Sequence, residues 1–133
     1  MMSMFATWLY VSSSLLEQNA DTEIANIRST AEARNPELGL TGVLLFSGHH
    51  FAQFLEGAET NLHIIKASIC SDDRHTSLVT LQTEPVKKRR YGRWALAYSG
   101  WATHIDGVLA DALRTNDRRK LLRYMDEFVA GRR

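Results

Sequence analysis

Cysteine and proline are scarce in this chain, and both scarcities constrain it. A single cysteine, Cys70, leaves no internal disulfide and fits a reducing compartment. The only two prolines mark expected boundaries, Pro36 at the end of a helix and Pro85 as an interruption of a strand. An excess of one charge is missing too. Against 15 Asp and Glu stand 16 Lys and Arg, a formal net charge of +1 that favours neither nucleic acid nor an acidic substrate. No apolar run approaches the ~18 residues of a membrane span, and Met1 to Phe5 is too short for a signal sequence. The 5 histidines and the cysteine show no CxxC or HExxH spacing, so no metal site is expected. Repeats and low-complexity tracts are absent as well. What remains is a chain of single-domain size, expected to be soluble and cytoplasmic, that buries roughly two thirds of its unfolded surface.

Within it, one polar residue is out of place. The runs Val43 to Phe46 and Phe51 to Leu55 flank Ser47, Gly48, His49 and His50, the pattern of a β-hairpin with a glycine in its turn. Side chains alternate along a strand, so Phe51, Gln53 and Leu55 share a face, and a carboxamide lies between two groups that should be buried. Buried alone, that amide would cost roughly 1 to 3 kcal/mol, so Gln53 needs a partner.

The rest of the chain supplies candidates. Phe5 to Ser12 reads as a first strand with Tyr10 on its interior face. A helix is expected from an N-cap at Asp21, with an apolar stripe of Ile24, Ile27 and Ala31 that ends in Asn35, just before Pro36. Glu59 to Ser71 reads as a second helix with Leu62, Ile65 and Ile69 on one face. A fourth strand from about Ser77 to Thr83 and a short fifth, Trp94 to Tyr98, complete the order β, α, β, β, α, β, β. This order predicts an α+β, ferredoxin-like sandwich: a five-stranded mixed sheet, two helices on one face, and strands one and three as central neighbours. Residues 105 to 113 and 117 to 130 read as C-terminal helices, the second with a stripe of Leu121, Met125 and Phe128. That stripe suits either the open face of the sheet or another subunit.

In such a fold Tyr10, Asn35, Gln53, Arg74, His75 and Trp94 converge between walls built on Ile27 and Ile69. A flat ligand with apolar faces and a rim of donors and acceptors, such as a flavin ring, would fit that slot. Each residue also has a plainer reading: core phenol, helix terminator, cross-strand amide, solvated turn, core indole. Their joint occurrence in one order favours the slot.

These residues sit in stretches that resemble the BLUF family, blue-light sensors using FAD: WLYVS around Tyr10, ARNPELGLTG after the first helix, LLFSGHHFAQFLEG around Gln53, SICSDDRH, and EPVKKRRYGRWAL. The resemblance covers roughly residues 5 to 98. It implies a flavin-binding domain over 1–98 and a helical extension over 99–133 that packs on the sheet or on a partner. It further implies FAD held non-covalently by Tyr10, Ile27, Asn35, Gln53, Ile69, Arg74 and His75. Tyr10 and Gln53 would form the photochemical switch, and Trp94 and Leu96 would relay its signal. In that scheme Tyr10 gives an electron and a proton to the excited flavin, and Gln53 rotates or changes tautomer. No substrate is turned over. The expected partners are a separate downstream signalling protein and further copies of the chain, since no room remains for an output enzyme after residue 133. Leu96 departs from the methionine usual in this family, a swap of similar volume but greater stiffness. The basic run Lys87 to Arg90 reads as a solvated loop rather than a nucleic-acid contact. An acylphosphatase-like enzyme on the same fold would want an anion-cradling loop after the first strand, where Ser12 to Leu16 holds neither glycine nor arginine. The alternative to a photoreceptor is a flavin-free interaction module whose slot has collapsed around its isoleucines.

Overall fold

The computed structural model describes residues 5–98 and 103–131. Five strands, β1 (Phe5–Ser14), β2 (Thr41–Phe46), β3 (His50–Ala58), β4 (His75–Val86) and β5 (Trp94–Tyr98), form one sheet in the order β4-β1-β3-β2-β5. Only the β2–β5 pairing is parallel. Helices α1 (Ala20–Glu37) and α2 (Glu59–Cys70) follow β1 and β3, and α3 (Thr103–Thr115) and α4 (Arg119–Val129) close the described chain. This is the α+β architecture expected from the element order.

Both faces of the sheet are covered. On one face Ala20 and Ile24 of α1 pack on Leu44, Phe46, Phe51 and Leu96. Beside them Leu62 and Ile65 of α2 pack on Trp8, Tyr10 and Leu55. On the other face Leu9, Val11, Val43, Leu45, Ala52 and Phe54 meet Ile105, Leu109, Ala112, Leu121 and Met125. The C-terminal stripe therefore lies on this chain's own sheet. Burial on two sides explains why β1 and β3 read as almost continuous apolar runs.

Three boundaries differ from the sequence expectation. Helix α1 starts at Ala20, with Asn19 at the cap position, so Asp21 acts as a first-turn acid rather than a cap. Pro36 does not stop the helix: it sits in the last turn, and the chain turns at Gly39, whose φ of 65° is the left-handed conformation common just past a helix end. Pro85 does not interrupt β4, because β4 is an edge strand paired only with β1, where a missing N–H leaves no ladder bond broken on the outer side. Gly42 is required where it stands. With φ 152° and only 1.8 Å between a Cβ placed there and the Phe54 carbonyl oxygen, a side chain would collide with β3.

Candidate functional site

The register puts Tyr10 of β1 directly opposite Gln53 of β3, and Gln53 opposite Leu44 of β2, which in turn pairs with Leu96 of β5. Between α1 and α2, above these strands, lies a cleft of about 200 Å³. Its floor carries Tyr10, Gln53, Leu44 and Trp94, and its walls carry Ile27 and Ile69. The two isoleucines do not fill it.

A hydrogen-bonded chain crosses the floor. The Gln53 Nε2–H donates to the Tyr10 hydroxyl at 2.8 Å, and Gln53 Oε1 accepts from Trp94 Nε1–H at 3.0 Å. The partner demanded by a carboxamide between Phe51 and Leu55 is thus two side chains from neighbouring elements. Burial pushes the Tyr10 phenol well above its usual pKa, and the Gln53 hydrogen bond offsets only part of this, so Tyr10 stays protonated.

Asn35 is fully buried but is not part of the lining; its neighbour Arg34 is. Its Oδ1 accepts from Arg34 Nε at 3.1 Å, while its Nδ2 has no partner, the one buried side-chain polar atom in that condition among the described residues. An orphaned amide donor is worth roughly 1 to 3 kcal/mol in lost solvation. A ring with carbonyl acceptors at its edge would relieve that cost where it reaches past Arg34 to this amide, and to that extent the orphaned donor fits a flavin at the edge of the cleft.

Arg74 and His75 line the cleft, yet their polar atoms are engaged within the protein. The Arg74 guanidinium grips Asp72 at 2.7 Å and reaches Glu23 of α1 at 3.3 Å. Those contacts hold the Asp72 carboxyl below its ordinary range, and they hold Arg74 above its own. His75 Nε2 donates to the Ile69 carbonyl at 2.8 Å, which leaves Nδ1 to accept from the Ser12 hydroxyl at 2.6 Å. His75 thus fastens the end of α2 to the sheet, Arg74 ties the loop after α2 to α1, and both shape the rim.

Sequence reasoning misses Arg34, Asp72 and Glu56. Arg34 carried a readable signal, since it lies seven residues, two helical turns, after Ile27. Burial lowers its guanidinium pKa. Glu56 is fully buried on β3 and accepts the backbone N–H groups of Arg90, at 2.8 Å, and Tyr91, at 2.7 Å, pinning the loop that leads into Trp94. The same loop is held from the other side by Asp126 of α4, which accepts from the Arg90 guanidinium at 2.6 Å and the Tyr91 hydroxyl at 2.8 Å. Of the basic run, Lys87 and Lys88 are exposed, whereas Arg89 is folded against Thr41, Glu56 and Gly39.

The family model described as BLUF, sensors of blue-light using FAD, matches residues 5–97. The chain belongs to the BLUF family. Among similar BLUF proteins, the blue light- and temperature-regulated antirepressor BluF of Escherichia coli is 37% identical over 87 residues, covering 65% of this chain and 22% of that protein. The photoactivated adenylate cyclase subunit alpha of Euglena gracilis is 33% identical over 101 residues, 75% of this chain and 10% of the cyclase subunit. This chain therefore spans a small part of the length of these two relatives. The dark-state structure of the BLUF protein BlrB superposes with a TM-score of 0.78 at 25% identity, covering 98% of this chain and 99% of BlrB. Among the described residues of this BLUF chain no helix is long and apolar enough to cross a membrane, and no acidic, histidine or cysteine cluster is placed to hold a metal ion.

Proposed function

We propose that this chain is a blue-light photoreceptor that binds FAD non-covalently in the cleft between α1 and α2 and signals by a rearranged hydrogen-bond network, without turning over a substrate. The observation that carries this is the chain Tyr10–Gln53–Trp94 across the cleft floor. Residues Tyr10, Ile27, Asn35, Gln53, Ile69, Arg74 and His75 hold or frame the ring, the last two through the rim they build. The fit rests on the orphaned Asn35 amide and the apolar walls.

A bound flavin supplies, on absorbing blue light, a strong one-electron oxidant. Everything else is done by the protein. Tyr10 is buried and neutral, so loss of an electron makes its phenol proton strongly acidic; Gln53 meets the phenol oxygen through its Nε2–H donor, so it can take up that proton only through Oε1, once the amide has turned. Gln53 then rotates or changes tautomer. An indole N–H only donates, so rotation would turn the Gln53 amide group toward Trp94 and set donor against donor. Trp94 must then shift or lose its bond. Because Trp94 begins β5 and Leu96 packs against α1-side residues of the same layer, the change reaches the sheet edge at Trp94 and Leu96.

From that edge the signal passes to the helical extension. We assign residues 1–98 to the flavin domain and 99–133 to the extension, coupled through Glu56, the Arg90–Tyr91 loop and Asp126. The output is a change in contacts with a separate signalling protein in the cytoplasm, with further copies of the chain as an assembly partner. The test is the absorbance spectrum of purified protein in darkness and directly after blue light. A flavin band that moves to the red and recovers in the dark supports the proposal; no flavin band after reconstitution with FAD would replace it with the flavin-free interaction module.

A further inference from the structure

Tyr10 also has an aromatic neighbour on its own strand. Trp8 lies two residues earlier on β1, on the same face, and its ring centroid is 4.6 Å from that of Tyr10 with the planes inclined by 35°. It is fully buried, and its Nε1–H donates to the Thr80 hydroxyl at 2.9 Å. Above the ring stands Lys66 of α2, with Nζ 5.2 Å from the centroid. Neither Trp8 nor Lys66 lines the cleft. The buried side chains clustered with Trp8, among them Leu55, Leu62 and Ile65, are uncharged.

This contact exposes the switch to a short circuit. Loss of one electron from Tyr10 to a bound flavin excited by blue light would leave the phenol briefly with a positive charge. One electron passing from the Trp8 indole to Tyr10 would restore the neutral phenol with its proton still attached and leave the charge on Trp8 as a radical cation. No bond breaks, and the phenol proton stays on Tyr10.

We infer that Lys66 prevents this loss: its ammonium group keeps positive charge off Trp8 and so on Tyr10 until the proton leaves. A cation over an indole face attracts the neutral ring through its quadrupole. Once the ring itself is positive, the same placement is repulsive. At about 5 Å in a partly buried setting, that repulsion shifts the sharing of charge between Trp8 and Tyr10 by roughly tenfold or more. The inference rests on the flavin photoreceptor proposed above.

The test uses the flavin-loaded chain and its variants Lys66→Met, Lys66→Arg and Trp8→Phe/Lys66→Met, with flavin content and thermal midpoint measured for each. The yield of the red-shifted state and the transient absorption of a tryptophan radical are read after a blue flash. Lys66→Met should lower the yield several-fold and reveal the radical, Lys66→Arg should behave as the parent, and the double variant should recover the parent yield. A parent that shifts while Lys66→Met keeps its full yield and shows no tryptophan radical overturns this inference alone. A yield loss in Lys66→Met that the double variant does not recover also overturns it. A parent that binds flavin and does not shift overturns the photoreceptor, and the inference with it.

Discussion

The indole N–H of Trp94 points at Oε1 of Gln53 from 3.0 Å and thereby sets which end of the carboxamide faces Tyr10. Tryptophan can donate and cannot accept, so the Gln53 carbonyl belongs on the Trp94 side and the amide on the Tyr10 side. One edge-strand residue thus holds the resting orientation of the group at the centre of the sheet.

Gln53→Leu removes the whole relay while leaving a side chain of similar size between Phe51 and Leu55. The flavin should remain bound, and the light-induced red shift should vanish. Absorbance before and after illumination decides it, and a normal shift in this variant would contradict the role given to Gln53.

Trp94→Phe removes the donor that orients the amide. One net hydrogen bond is worth about 1 kcal/mol, so the balance between the two Gln53 orientations should move about fivefold toward the rotated form. The dark spectrum should already lie to the red and the light-induced difference should shrink. Two sets of Gln53 side-chain amide signals in NMR would report the same mixture, whereas a single unshifted set would remove Trp94 as the orienting group.

Acid should loosen the C-terminal cap before the sheet. Burial raises the Asp106 carboxyl, but hydrogen bonds from His50 at 2.8 Å and Ser47 at 2.6 Å more than offset it and leave the group below its ordinary value. Burial likewise raises Asp126, and its contacts with Arg90 and Tyr91 outweigh that effect. Both folded values lie under the unfolded reference of about 3.9, so the stabilisation is present above that pH and is lost as pH falls through the folded values. Hydrogen exchange should show α3 and α4 amides losing protection at a higher pH than β1 and β3; simultaneous loss would mean these carboxylates do not fasten the cap.

Leu121→Ala tests where the C-terminal stripe is buried. Leu121 is completely buried against the sheet, and its truncation should cost about 2 to 5 kcal/mol, read as a lower urea midpoint with the slope unchanged. A stability like that of the parent would place the stripe against another protein instead.

Much of this was legible in the linear chain because it depends on spacings of two, three and four residues. A hairpin around Gly48, Gln53 stranded between Phe51 and Leu55, and the isoleucine faces of α1 and α2 all follow from how a backbone presents successive side chains. The neighbouring of Tyr10 and Gln53 followed one step further, from the order of elements and the sheet it favours. Helix and strand ends were less legible. Pro36 and Pro85 are breakers by local propensity, and each is tolerated because its missing N–H falls where no partner was needed or where one bond could be given up at a helix end.

What the tertiary structure alone decided was partner choice. Arg74 could face a ligand or a carboxylate, and only the approach of α1 to the end of α2 puts Glu23 and Asp72 on it. A glutamate inside a strand says nothing of the loop it will pin until the chain returns and offers the N–H groups of Arg90 and Tyr91 to Glu56. The stripe of α4 fitted a sheet or a subunit equally well until the open face of β1, β2 and β3 came to lie under it. Periodicity states which side of an element seeks burial; which surface it meets is set by loop closure and by the packing of the whole sheet.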